Sequence, residues 1–132
     1  MDTDKAATGQ ALPPTLTFHL TPRPCWDAGD PAAPYVPETF EQDGFIHCTD
    51  GAERVIDVGN RYCREDPRPF VALLIDISRL SAEVWYEDPE RVYPHIYGPL
   101  NRDAIVAVIP VKRDYAGGFI RLADRTPPNA AQ

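Results

Sequence analysis

Asp43-Gly44-Phe45-Ile46-His47-Cys48-Thr49, taken with Tyr93-Pro94-His95-Ile96-Tyr97-Gly98-Pro99-Leu100, decides how this chain folds. Gly44 follows an acidic turn and suits a positive-φ position that ends one element and starts the next. Phe45, Ile46 and Cys48 are apolar, so the segment reads as a short buried strand carrying one imidazole. Alternation then puts Phe45, His47 and Thr49 on one face, and Ile46 and Cys48 on the other. The sequence holds three histidines, His19, His47 and His95, each inside an apolar, strand-like segment. Burying an imidazole without a partner costs about 1–3 kcal/mol. Three such placements in one short chain point to a shared site.

A chain of 132 residues is long enough for one core and not for two. With 43% hydrophobic and 25% charged residues it has the composition of a globular protein. No apolar run approaches the roughly 20 residues that span a bilayer. The polar start, Met1 to Gln10, does not resemble a signal peptide. Cys25, Cys48 and Cys63 are three, without a Cys-x-x-Cys pair, which fits a reduced, cytoplasmic setting. A net charge of −7 and the lack of a basic stripe point away from nucleic acid. A small-molecule nucleotide or metabolite is the expected partner; the oligomeric state is not legible.

Residues 1–14 read as a disordered tail closed by Pro13-Pro14, residues 15–122 as a single domain, and residues 123–132 as a second frayed tail. Thr15 to Leu20 alternates as a strand, with Leu16, Phe18 and Leu20 expected toward the core and His19 opposite, beside Thr15 and Thr17. Thr21-Pro22 opens a short helix through Cys25 and Trp26 that stops near Gly29. Asp30 to Pro37 is a loop, and Pro37 to Asp43 one more helical turn. Asp50 is the expected N-cap of the strongest helix, whose Ala52, Val55, Ile56, Gly59, Tyr62 and Cys63 recur at helical spacing. Phe70 to Ile75 is a continuous apolar strand, Glu83 to Glu87 alternates, Ala104 to Ile109 is a strand closed by Pro110, and Phe119 to Leu122 is an edge strand. Strands outnumber helices, and the helices cluster in the first half. The fold class is therefore α+β with largely antiparallel pairing: two small sheets around a cleft.

Four kinds of chemistry suit these residues. The cleft can bind a nucleotide, with histidines on ribose hydroxyls or against a base. His19, His47 and His95, with Cys48, can ligate a transition metal, although the usual local ligand pairing is missing and no metal is expected. The domain can be a binding module that captures a peptide or metabolite without turnover. Cys48 as a nucleophile is the fourth reading, but His47 points to the opposite strand face, so Cys48 reads as core.

Phe18-His19-Leu20, Trp26 and Ala28, Tyr35-Val36-Pro37, Asp43 to Thr49, Pro94 to Leu100 and Asp103-Ala104-Ile105-Val106 together resemble the bacterial domain-of-unknown-function family 952, over roughly residues 16–112. That family looks like a compact relative of the ADP-ribosyltransferase fold. The resemblance implies an NAD- or ADP-ribose-binding cleft, with transferase or hydrolase activity. His19 matches the first-strand histidine that holds the nicotinamide ribose. His47 matches the aromatic that stacks on nicotinamide. The third position, often glutamate on a later strand, has Asp103 nearest, with Glu87 and His95 as other candidates. Residues expected in catalysis are thus His47, His95 and Asp103. Those expected to bind NAD are His19, His47, Thr49 and Tyr97, with His19 donating to ribose. Arg23, Arg54 and Arg102 are the cations expected to meet a pyrophosphate.

Overall fold

Seven strands and three helices follow one another in the computed structural model, which describes residues 15–123. They are β1 (Leu16–Pro22), α1 (Arg23–Ala28), α2 (Phe40–Asp43), β2 (Ile46–His47), α3 (Ala52–Tyr62), β3 (Phe70–Asp76), β4 (Glu83–Tyr86), β5 (Pro94–Tyr97), β6 (Ile105–Arg113) and β7 (Phe119–Leu122). The strands form a four-stranded sheet, β1-β3-β6-β7, and a three-stranded sheet, β2-β5-β4, antiparallel throughout. The α+β class with its helices in the first half is what the sequence predicts. Of the two tails, only Ala123 lies among the described residues, where its N–H donates to the Pro110 carbonyl at 2.8 Å. No described helix is long and apolar enough to cross a membrane.

β3 is buried along its whole length because both faces of its sheet are covered. One face, carrying Val71, Leu73 and Ile75, packs into a core with Ile46, Cys48, Ile96, Leu100 and Tyr35, closing the two sheets on each other. The other face lies under α3, which buries Val55 and Gly59. Gly59 makes that packing possible: a Cβ there would sit 2.4 Å from the Phe119 ring. Asn60 then fastens β7, donating to the Phe119 carbonyl at 2.9 Å and accepting its N–H at 2.7 Å.

Double coverage reverses the expected orientation of β1. Thr17, His19 and Thr21 lie opposite Ile75, Leu73 and Val71 in the ladder, so they face the inter-sheet core and are buried. Leu16 is exposed, and Phe18 and Leu20 are only half-buried on the α3 side. Hydrophobicity alone picks the wrong face here. The polar face is partly satisfied inside: Thr21 Oγ1 and the Tyr35 hydroxyl bond at 2.8 Å, while the buried Thr17 hydroxyl has no partner.

Two further expectations are corrected. Asp50 does not cap α3, whose N-cap is Gly51 at φ 98°; the Asp50 carboxylate instead accepts the Tyr86 hydroxyl at 2.7 Å. β6 runs through Pro110 to Arg113 rather than ending there. The Pro110 carbonyl points to Ala123, past the last β7 pair, so its ring nitrogen faces a side where no ladder donor is needed.

Among the described residues, backbone hydrogen bonds join the sheets at one place. Phe18 and Thr49 exchange both backbone hydrogen bonds, at 2.9 and 2.8 Å, tying the middle of β1 to the residue two beyond β2. From this seam the sheets splay, and the histidine-bearing strands lie on either side of it.

Candidate functional site

The positive-φ glycine expected in the first motif is present. Gly44, at φ 81°, ends α2 with its N–H on the Phe40 carbonyl, and the chain turns straight into β2. That turn leaves Asp43 beside His47, whose Nε2–H donates to Asp43 Oδ2 at 2.9 Å. β2 pairs with β5 so that Ile46 opposes Ile96 and His47 opposes His95. Ile46 and Ile96 enter the core. Cross-strand partners share a face, so the two imidazoles stand together on the other side, 5.5 Å apart by ring centroids. Phe45 completes this layer: its ring stacks on His95 at 4.0 Å and 15°, and lies 4.6 Å from His47.

His19 approaches from β1. Its Nδ1 lies 2.6 Å from the His47 carbonyl oxygen. A carbonyl only accepts, so Nδ1 carries the proton. Burial lowers the pKa of this ring to about 4, outweighing the opposing effect of that bond. His19 is therefore neutral at ordinary pH, and its Nε2 is a bare lone pair. That atom is buried and has no protein partner. The expected role as a donor to ribose is thus corrected: the one N–H is spent on His47, and what His19 offers is an acceptor.

His19, His47 and His95 all line one cavity of about 590 Å³, together with Thr49, Thr21 and Tyr93. Its charged lining consists of Glu38, Asp43, Asp66 and Arg61. Arg68 clamps two of those carboxylates, Glu38 at 2.8 Å and Asp66 at 2.7 Å, and holds both below the usual carboxylate range. Cys48 is core, as expected, and burial pushes its thiol pKa up, which removes it as a nucleophile at neutral pH.

Tyr97, expected to bind NAD, does not line this cavity; it lies 5.4 Å from Phe45, and its hydroxyl donates to Glu87 Oε1 at 2.5 Å. His95 Nδ1 lies 2.9 Å from the same oxygen. These two bonds hold the Glu87 carboxyl below its ordinary range, the Tyr97 bond contributing most. The hairpin register explains the meeting. Glu83 opposes Tyr97 and Trp85 opposes His95, so Glu87, two residues on, continues the same face. Alternation within Glu83 to Glu87 contains that signal once the β4–β5 hairpin is drawn; without the pairing it does not.

Asp103 is not brought to the site. The strand it precedes, β6, belongs to the other sheet, while the strand beside β2 is β5. The Asp103 carboxylate accepts from Asn101 at 2.6 Å and does not line the cavity. The residue facing His47 from a later strand is His95. Nor do the expected cations reach the cleft. Arg102 is spent on the Ala33 and Asp30 carbonyls and on the Trp26 ring, 4.6 Å away. Arg23 and Arg54 do not line the cavity either. Arg61, which the helical spacing turns outward on α3, is the cation that lines it.

Among the described residues, no group of three or more histidines, cysteines or acids is arranged to hold a metal ion. A larger, shallower depression of about 960 Å³ lies at the far end of α3. Its Arg113 donates from Nη1 and Nη2 to the carbonyls of Asp66, Arg68, Cys63, Arg64 and Gly117 and so braces that end of the fold, while its buried Nε has no partner.

The crystal structure of protein CC0527 from Caulobacter crescentus has the same fold, with a TM-score of 0.67 and 22% identity over 80% of this chain and 94% of that one. The solution structure of CC0527 gives a TM-score of 0.61 and 23% identity over 78% and 90%. No curated protein matches the sequence. The family model described as protein of unknown function (DUF952) matches residues 20–108, and the chain belongs to that family.

Proposed function

We propose that the cleft binds a pyridine nucleotide of the NAD type, with the nicotinamide-ribosyl end against the histidines. The observation that carries this reading is the buried Nε2 of His19, which has no protein partner and belongs to a ring that lines the cavity. An acceptor left unpaired costs about 1–3 kcal/mol, and a ribose hydroxyl donating to it would recover that cost. The exposed face of His47, whose side chain is 58% accessible, suits a flat aromatic ring. The cavity lies within the range of roughly 300–1,000 Å³ typical of small-molecule sites. An ADP-ribosyltransferase-like role for the two splayed sheets is part of this proposal, supported by the motif resemblance around His19 and His47.

Charge favours one end of such a ligand. Glu38, Asp43 and Asp66 line the cavity against Arg61, with Arg68 paired to two of the acids. A cationic pyridinium is welcome there and a dianionic pyrophosphate is not, except toward Arg61. NAD and nicotinamide mononucleotide should therefore bind better than ADP-ribose.

Thermal shift tests this. A ligand at about 100 times its Kd adds roughly 2.7 kcal/mol of stability, which for a domain of this size is a shift on the order of 10 °C. His19→Ala should abolish the shift. If millimolar NAD, nicotinamide mononucleotide and ADP-ribose all leave the unfolding temperature of the wild-type protein unchanged, the reading is wrong.

A further inference from the structure

We propose that the cleft also turns its ligand over: His95 is a general base for attack of water on the ribosyl carbon, with Glu87 and Tyr97 as its positioning residues. This rests on the pyridine-nucleotide reading above, and adds a reaction and the residues that perform it.

The motive is geometric. A base needs one nitrogen fixed and the other free. Glu87 Oε1 takes the proton-bearing Nδ1 of His95 at 2.9 Å, so the neutral ring carries its lone pair on Nε2, which has no protein partner among the described residues. Glu87 is itself held by the Tyr97 hydroxyl, and Phe45 stacks flat on the ring at 4.0 Å, so the imidazole is fixed by its edge and by its face. A histidine that only filled space would need neither restraint. Nor does the fold demand the carboxylate: Glu87 has a side-chain accessibility of 53% and supports no backbone group. His95 also lines the same cavity as the His19 acceptor, so a molecule held by His19 has His95 within the same enclosure.

The step balances without an oxidant or a metal. His95 Nε2 removes a proton from a water molecule whose oxygen bonds to the anomeric carbon. The bond from that carbon to the pyridinium nitrogen breaks, and its electron pair stays on the nitrogen. The leaving group departs neutral, so no general acid is required, and His95 returns its proton to solvent. The acidic lining helps to hold the cationic reactant and releases the neutral product.

Three measurements on the whole chain test this, with NAD as the probe and nicotinamide release as the readout. General-base catalysis is typically worth about 10²–10⁴-fold, so His95→Gln should lose roughly 100-fold or more of the rate while keeping the NAD-induced thermal shift. Glu87→Ala should lose about 10-fold by the same reasoning. In ring-nitrogen NMR spectra at pH 8 it should also convert His95 from the Nδ1–H form to a mixture of tautomers, which a spacer residue would not do. Added imidazole should restore turnover to His95→Gly and not to the wild type. Wild-type protein that binds NAD but releases no nicotinamide would overturn this inference and leave the binding proposal standing. So would an unimpaired His95→Gln. Absence of NAD binding by the wild type would overturn both.

Discussion

Acid should unfold this protein through His19, and the size of the effect follows from its burial. In the unfolded chain an imidazole has its ordinary pKa of 6.5; in the folded protein His19 protonates only near pH 4. Between those values the unfolded state binds more protons, so stability falls as pH falls. The contribution is fully present above pH 6.5, is progressively lost below it, and stops changing below about pH 4. At about 1.36 kcal/mol per pKa unit, the loss has a ceiling of roughly 3 kcal/mol, and by pH 5 it has reached about 2 kcal/mol. His19→Asn is the matched control. Its amide nitrogen sits close to the place of Nδ1 and can still donate to the His47 carbonyl, but it does not titrate. Urea unfolding of both proteins at pH 8 and pH 5 cancels the carboxylates they share. Wild type should lose about 2 kcal/mol more than the variant over that interval. Equal losses would show that His19 is not the buried neutral imidazole described here.

Gly59→Ala should destabilise the fold by about 1–3 kcal/mol, since the new methyl would press on the Phe119 ring rather than on a flexible chain end; chemical denaturation reads this directly. Asp103→Asn should leave NAD affinity and nicotinamide release unchanged within experimental error, because its carboxylate answers only Asn101; a loss of either would return Asp103 to the site.

Much of the architecture was legible because its signals are local. Gly44 announced the left-handed turn, the apolar run from Phe70 marked the central strand, and the spacing of Val55 and Gly59 marked α3. Orientation was harder. On β1 both faces carry residues that a core accepts, and the decision between them is made by β3, about fifty residues away. A threonine–histidine face can be the buried one when Thr21 finds Tyr35 and His19 finds the His47 carbonyl, even with the Thr17 hydroxyl left unpartnered. Neither partner is visible from β1 itself. Arg102 was misread for the same reason: a guanidinium near two motifs looks available until the carbonyls of Asp30 and Ala33 occupy it.

The three histidines were visible as residues, but their division of labour lies in hydrogen-bond direction. His19 gives its proton to the backbone of His47, His47 gives its Nε2 proton to Asp43, and His95 gives its Nδ1 proton to Glu87. Each ring is anchored through one nitrogen by an acceptor from a different part of the chain: strand backbone, the end of α2, and the β4–β5 connection. The remaining nitrogen of His19, a ring kept neutral by burial, is an acceptor; in His47 and His95 these bonds place the lone pair of the neutral ring on the other nitrogen. On the proposals above, the lone pair of His19 takes a hydroxyl donor of the ligand and that of His95 the attacking water, and the flanking carboxylates disfavour anions. A ribosyl group joined to a pyridinium carboxamide presents hydroxyl donors, amide donors and a positive ring within one short molecule. Binding then depends on the direction of the His19 bond and turnover on that of the His95 bond. Reversing the His95 bond, as Glu87→Lys would do, should cost nicotinamide release as His95→Gln does, even if the pocket keeps its shape.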